Sequence, residues 1–252
     1  MLRRDGSGWK LSKIPVLEIF GPTIQGEGMV IGKKTMFVRT AGCDYACAWC
    51  DSSFTWDGSI KEEIIQMSAT DIWKKLNEIG KNNFSHVTIS GGNPALLKNV
   101  DALVHLLKEN KIQVAVETQG SKWQDWFLQI DDLTISPKPP SAKMRTNFAV
   151  LDHIIARLLD YERHANVSLK IVIFDDEDFL YAKKIAKRYS NIPLYLQVGN
   201  RHTTTEDTHT LTRQLLAQYE WLIAKTMSDK ELHHVRVLPQ LHTLLWGNKR
   251  GV

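Results

Sequence analysis

His86-Val87-Thr88-Ile89-Ser90, the turn Gly91-Gly92-Asn93-Pro94, a helical stretch over residues 98–110, and Val114-Ala115-Val116-Glu117 decide the fold. The first and last are short β-branched runs, and the middle stretch places Val100, Leu103, Val104 and Leu107 on one helical face. Strand, helix and strand in that order form a βαβ unit, whose strands run parallel. The alternation extends both ways. Upstream, Thr35-Met36-Phe37-Val38-Arg39 reads as a strand, and a helix is expected over about 70–81, capped by Ser68 or Thr70. Downstream, strands over 133–136, 169–173 and 194–198 are interleaved with helices over about 147–161, 177–188 and 207–227. A last extended stretch covers 235–238.

Six strands separated by helical segments predict an α/β fold with a mostly parallel, six-stranded sheet. Periodicity does not distinguish a curved barrel from an open doubly wound sheet. In either case functional side chains belong just past the carboxyl ends of the strands. No repeat, linker or low-complexity stretch interrupts the pattern, so one domain over residues 1–252 is expected.

The 32 basic and 28 acidic residues leave a net charge of +4 with no polybasic run, which neither demands nor excludes nucleic acid and leaves a small-molecule substrate as the default expectation. The segment Met1-Leu2-Arg3-Arg4-Asp5-Gly6-Ser7-Gly8 lacks the apolar core of a signal peptide, and no apolar run is long enough for a membrane span. A cytoplasmic location is expected.

All three cysteines, Cys43, Cys47 and Cys50, fall within eight residues directly after the strand at 35–39. Three thiolates on one loop can hold three irons of a four-iron cubane and leave the fourth iron open to another ligand. An open metal position marks a catalytic site. The alternative is a structural zinc knuckle completed by one of the nine histidines.

This spacing, with Trp49 before the last cysteine, resembles the radical S-adenosylmethionine superfamily, whose cofactor fills the open iron position. Gly91-Gly92-Asn93-Pro94 is similar to that superfamily's Gly-Gly-Glu-Pro motif, with Asn93 in place of the acid. Further motifs narrow the match. Thr23-Ile24-Gln25-Gly26-Glu27-Gly28, Cys50-Asp51-Ser52, Glu117-Thr118-Gln119-Gly120, Ser136-Pro137-Lys138 and Val237-Leu238-Pro239-Gln240-Leu241-His242 with Trp246-Gly247-Asn248 together resemble the 7-carboxy-7-deazaguanine synthases. The resemblance covers nearly the whole chain.

That resemblance implies a partial, modified (β/α)6 TIM-like barrel with amino-terminal substrate-binding and carboxyl-terminal extensions, assembled as a homodimer. It implies a carbon–nitrogen lyase converting 6-carboxy-5,6,7,8-tetrahydropterin to 7-carboxy-7-deazaguanine with loss of ammonia. It also implies a 4Fe–4S cluster on Cys43, Cys47 and Cys50, S-adenosylmethionine, Mg2+ at Ser52 with Asp51 as competing donor, and a flavodoxin or ferredoxin as reductant. Substrate contacts are implied at Ile24, Gln25, Gly26, Glu27, Arg39, Ser90, Gln240 and His242. Cofactor contacts are implied at Trp49, Gly92, Glu117, Thr118, Ser136, Pro137, Lys138, Gln197, Val198, Gly199 and Asn200. Glu117 and Lys138 have the alternative of pairing with each other as a structural bridge. The runner-up activity, a glycyl-radical activase, shares the cysteine spacing but lacks the Gln25-Gly26-Glu27 approach.

Overall fold

The computed structural model describes residues 13–252, so the polar segment Met1–Gly8 lies outside the described residues. Nine strands form one sheet: β1 (Ile14–Ile24), β2 (Lys34–Thr40), β3 (Ile65–Met67), β4 (His86–Gly91), β5 (Gln113–Thr118), β6 (Asp132–Ile135), β7 (Val167–Ile173), β8 (Leu194–Val198) and β9 (Arg236–Leu238). Their order is β3-β1-β2-β4-β5-β6-β7-β8-β9, with β1 antiparallel to both β2 and β3 and every later pair parallel. The six predicted strands are the contiguous parallel run from β2 to β8. The expected count of six is corrected to nine, because β9 extends that run and an antiparallel pair covers its other edge.

Sequence punctuation hides β1. Pro15 and Gly21-Pro22 read as turn residues, but the strand passes them with register shifts between Val16 and Glu18 and between Phe20 and Thr23. Pro22 falls within the second irregularity, where a missing N–H breaks no ladder bond, while Pro15 sits opposite Gln66 in unbroken register with β3. β3 is only three residues long, too short for a period to show.

The helices are α1 (Ala69–Gly80), α2 (Val100–Glu109), α3 (Phe148–Asp160), α4 (Asp176–Arg188), α5 (Thr208–Ser228) and α6 (Leu241–Trp246). Ser68 caps α1 in a reciprocal box with Asp71. Between β5 and β6 the crossover holds no α-helix. A 3-10 turn, Asp125–Gln129, takes its place and buries Trp126 and Phe127.

Strand parity divides the sheet. Met36 and Val38, Val87 and Ile89, Val114 and Val116, Leu133 and Ile135, Leu169 and Ile171, and Leu194 and Leu196 pack into the core cluster beneath the helices. The opposite parity carries Arg39, Thr88, Ser90, Glu117, Thr134, Ser136, Ser168, Lys170 and Gln197. Since successive side chains point to opposite faces, these polar residues share the other face of the sheet. That face is concave. Seven strand steps separate β1 from β9, about 34 Å if the sheet were flat. Yet Leu241, just past β9, donates its N–H to the carbonyl of Gly26, just past β1, at 3.1 Å. The sheet therefore curls until its two ends meet through these loops, leaving a barrel whose edge strands do not pair.

Candidate functional site

The cysteine loop leaves β2 at Thr40 and is pinned from three sides. Gly42 N–H donates to Thr55 O at 2.8 Å, Asn93 N–H to Gly42 O at 2.8 Å, and Ala48 N–H to Ala142 O at 3.0 Å. Gly91 and Gly92 are required by this approach. A Cβ on Gly91, at φ +130°, would meet Thr40 O at 2.1 Å, and one on Gly92 would meet Gly42 O at 2.1 Å.

Cys43, Cys47 and Cys50 are unpaired and half-buried. N–H groups are aimed at their sulfurs: Tyr45 N at 3.4 Å and Gln119 Nε2 at 3.6 Å from Cys43 Sγ, and Trp56 Nε1 at 3.4 Å from Cys50 Sγ. Such donors favour thiolates and tune a cluster bound to them. Burial pushes the Cys43 thiol up and that of Cys47 up to about 11, so without metal both hold their protons at neutral pH. Metal must displace those protons, and loading is expected to weaken as pH falls. Among the described residues Glu27, Asp51 and His242 bring three possible ligand atoms within 4.8 Å of one another.

Asn93 is fully buried and uses its whole amide. Its Nδ2 donates to Asp44 Oδ1 and to Ser121 Oγ, each at 2.9 Å. Its Oδ1 accepts from Thr118 Oγ1 at 2.8 Å and from Ala95 N at 3.2 Å. Gln119 Nε2 donates to the same Asp44 oxygen. The negative charge lies on the cysteine loop, and position 93 must therefore donate. A carboxylate cannot do so, which explains the amide here.

Two basins adjoin the loop. One is lined by Cys43, Cys47, Trp49, Cys50, Gly92, Glu117, Thr118, Gln119, Ser136, Lys138, Lys170 and Val172. Lys138 Nζ bonds Ser136 Oγ at 3.2 Å and lies 5.6 Å from the Trp49 ring centre. Trp49 also donates to Ser141 Oγ at 3.0 Å and packs on Phe174 at 5.2 Å. The other basin is lined by Ile24, Gln25, Gly26, Glu27, Phe20, Phe37, Arg39, Phe54, His242 and the strap Gly247–Val252. Asp51, Ser52, Ser90, Gly91 and Glu117 line both, so the basins share a wall.

In the second basin Phe20 and Phe37 stack at 4.8 Å across paired positions of β1 and β2. Arg39 lies 5.6 Å from the Phe20 ring, and its Nε sits 2.7 Å from Glu18 Oε2, out of line for a hydrogen bond. Glu18 also binds Arg250 Nε at 2.8 Å, tying the terminal strap to β1. The Gln25 side chain accepts from Gly26 N–H at 2.7 Å. Glu27 Oε1 accepts from Gln240 Nε2 at 2.9 Å and lies 4.0 Å from His242 Nε2. Ser52 Oγ donates to Asp51 Oδ1 at 3.1 Å.

The loop after β1 reaches deep into the barrel. Gly28, at φ +65°, leaves its missing Cβ 3.1 Å from Thr134 Oγ1 of β6. A Cβ on Gly26 would sit 2.3 Å from His242 Nδ1 and 2.7 Å from His242 N. Gly26→Ala is therefore expected to cost about 1–3 kcal/mol as α6 shifts, a drop of several degrees in melting temperature. An unchanged melting temperature would show that the contact yields without cost.

Sequence reasoning missed Lys170. This lysine is buried in β7, bonded to Glu27 and lying 3.2 Å from Glu117. Lys170, not Lys138, pairs with Glu117, so the alternative of a Glu117–Lys138 bridge is not what forms. Parity was the available signal, since Lys170 stands two residues from Ser168 on the polar face. Burial alone would raise Glu27, but Lys170, helped by His242 and Gln240, overrides it and holds the carboxyl far below its usual range. Burial would lower Lys170, but Glu117 and Glu27 together raise it above the usual lysine range.

Gln197 is fully buried on the concave parity, with neither amide atom hydrogen-bonded. Val198 is buried on the helix-facing parity. Gly199 packs flat on Phe174, 2.0 Å from a hypothetical Cβ, and Asn200 donates to Asn248 Oδ1 at 2.8 Å. None of the four is among the lining residues of the two basins; Gly199 lies against Phe174 and Asn200 against the strap. Pro137 is likewise buried beside Lys138.

Over residues 24–135 the chain matches the family model described as a 4Fe-4S single cluster domain. It is 64% identical over 242 residues to the 7-carboxy-7-deazaguanine synthase of Bacillus cereus, covering 96% of this chain and 100% of that protein. It is 66% identical over 239 residues to the protein of that name from Bacillus subtilis, covering 95% and 98% of the two chains. The fold is similar to that of QueE from Escherichia coli, with a TM-score of 0.60, 23% identity, and 91% and 95% of the two chains covered.

Proposed function

Because the chain belongs to the 7-carboxy-7-deazaguanine synthases, carbon–nitrogen lyases of queuosine biosynthesis, we propose that its two adjoining basins divide one radical reaction between them. The basin at the cysteine loop takes the cluster and S-adenosylmethionine, and the basin at Glu27 takes 6-carboxy-5,6,7,8-tetrahydropterin. The shared wall of Asp51, Ser52, Ser90, Gly91 and Glu117 carries this reading, because ligands filling the two basins meet along it. When bound, cluster and cofactor supply a 5′-deoxyadenosyl radical able to take a hydrogen atom from C6 of the pterin.

The remaining work falls to the protein. Phe20 and Phe37 offer a stacked platform beside the pterin plane. Glu27, held ionised, accepts from the N–H edge of the aminopyrimidinone, while Gln240 and His242 fix the carboxylate from behind. Backbone groups of Ile24, Gln25 and Gly26 complete that edge. Arg39 supplies a guanidinium for the substrate carboxylate. Cys43, Cys47 and Cys50 hold the cluster. Trp49, Gly92, Glu117, Ser136 and Lys138 receive the cofactor, and Gln197, Gly199 and Asn200 are read as the adenine end of that site, with Val198 turned to the helix side of the sheet.

Magnesium is hard and prefers oxygen. A serine hydroxyl alone holds it weakly, and Asp51 stands beside Ser52 with Glu27 within reach. The proposed cation site is therefore Ser52 with Asp51, completed by water and the substrate carboxylate. The run β2 to β8 is read as the family's modified (β/α)6 core within one domain over residues 1–252. The β1 region and the strap after β9 serve as its substrate-binding and carboxyl-terminal extensions. A homodimer, a flavodoxin or ferredoxin donor and a cytoplasmic setting complete the proposal. Among the described residues no helix is long and apolar enough to cross a membrane.

Glu27→Gln tests the assignment of the basins. The pterin KM is expected to rise about 10- to 100-fold, since an amide presents one acceptor where two are needed. Affinity for S-adenosylmethionine is expected to stay near the parent's. A KM equal to the parent's would remove Glu27 from the pterin site.

A further inference from the structure

Lys170 stands mid-strand in β7, where its ammonium is withdrawn from water. Moving an ammonium out of water costs several kcal/mol unless partners replace its hydration. Here the replacement is complete, with three acceptor oxygens for three N–H donors: Glu27 Oε2, Glu117 Oε1 at 3.3 Å and Glu117 Oε2 at 3.2 Å. The two acids come from different elements and serve different basins. Glu27 lies on the loop after β1, in the basin of Arg39 and His242. Glu117 is the penultimate residue of β5, on the wall common to both basins.

A single carboxylate offers two acceptor oxygens for the three N–H donors, so the second acid completes the set. Because the two acids come from different elements, completing it also ties one cation to both basins.

We infer that Lys170 is the positioning residue shared by both basins, fixing Glu27 as an ionised acceptor toward the pterin and Glu117 toward the cofactor. The inference rests on the reading of Glu27 as the pterin acid. The groups that face Glu27 are Lys170 from β7, Glu117 from β5, His242 from α6 and Asp51 from the loop after the cysteines. Of these only Lys170 donates to both Glu27 and Glu117, so the placing of the two carboxylates depends on it. Without Lys170 the two acids lose their common donor and the spacing it fixes between the basins.

The test compares Lys170→Met, Lys170→Arg and Glu27→Gln as anaerobically reconstituted protein. For Lys170→Met the expected result is parent-like cluster absorbance with a pterin KM raised about tenfold or more. At saturating pterin kcat is expected to fall far less than kcat/KM, because the lost contact places the substrate acceptor. Lys170→Arg, which keeps donors for both carboxylates, is expected to bring KM back toward the parent's. Should Lys170→Met fail to fold, Lys170→Gln is read the same way. A parent-like KM, with only a lower melting temperature, would overturn the inference and leave Lys170 a structural bridge. A parent-like KM in Glu27→Gln instead overturns the assignment of Glu27, so the two failures are distinct.

Discussion

Cys47→Ala is expected to give a folded protein that remains colourless after anaerobic treatment with iron and sulfide and turns over pterin on the order of a thousandfold or more below the parent. Cys47 is half-buried, so losing one sulfur costs little packing, within about 1 kcal/mol. Its thiol, pushed by burial up to about 11, is protonated in the metal-free protein, so no charge is lost either. The whole effect therefore falls on the metal. With three thiols and no fourth cysteine, two remaining ligands cannot hold a cubane at three corners. The checks are cluster absorbance, bound iron and product formation. Full iron content and parent-like turnover in Cys47→Ala would contradict the role of the cysteine loop.

Asn93→Asp is expected to destabilise the protein by about 3 kcal/mol, roughly 6–12 °C in melting temperature for a chain of this size. Asn93 is fully buried, and its Nδ2 supports Asp44 and Ser121. The substitution removes that donor and sets a second carboxylate against Asp44. Buried beside a like charge, the new acid has a folded pKa above its unfolded value. The penalty is therefore full at neutral pH and shrinks as pH falls through the folded pKa. Combining it with Asp44→Asn reverses donor and acceptor across the same gap, and at least half of the lost stability is expected to return. Parent-like stability of Asn93→Asp at pH 7, or no recovery in the pair, would contradict this account of the amide. Thermal melts of the four proteins at pH 5 and pH 7 decide it.

Much of the architecture was legible because periodicity survives in the sequence wherever burial enforces it. The helix at 98–110 was readable from Val100, Leu103, Val104 and Leu107, all of which are buried in α2. β1 was not, because Pro15 and Gly21-Pro22 carry local turn signals that pairing with β2 and β3 overrides. Local propensity there gives way to tertiary pairing. The curl that joins Gly26 to Leu241 leaves no mark in either segment alone.

The candidate site was legible where its residues sit in local motifs. The cysteines, Gly92 and Glu27 are of this kind, and the structure gathers them around two joined basins. Partnerships across the barrel were not legible. Glu117 has a lysine two elements away in Lys138 and another in Lys170, and only the fold selects the second. Asn93 looked like a departure until Asp44 appeared opposite it. Gln197 is buried as a strand-end residue of the concave face should be, yet it lines neither basin and its amide is unpaired.

Adjacency of the two basins is the claim on which the rest depends, and hydrogen transfer between them measures it. Pterin carrying deuterium at C6 would be turned over by the reconstituted protein, and the 5′ carbon of recovered S-adenosylmethionine and 5′-deoxyadenosine analysed by mass spectrometry. Deuterium at that carbon, with 7-carboxy-7-deazaguanine and ammonia formed in equal amounts, is the expected result. Product formed with no deuterium reaching the cofactor would contradict direct contact across the wall of Ser90, Gly91 and Glu117.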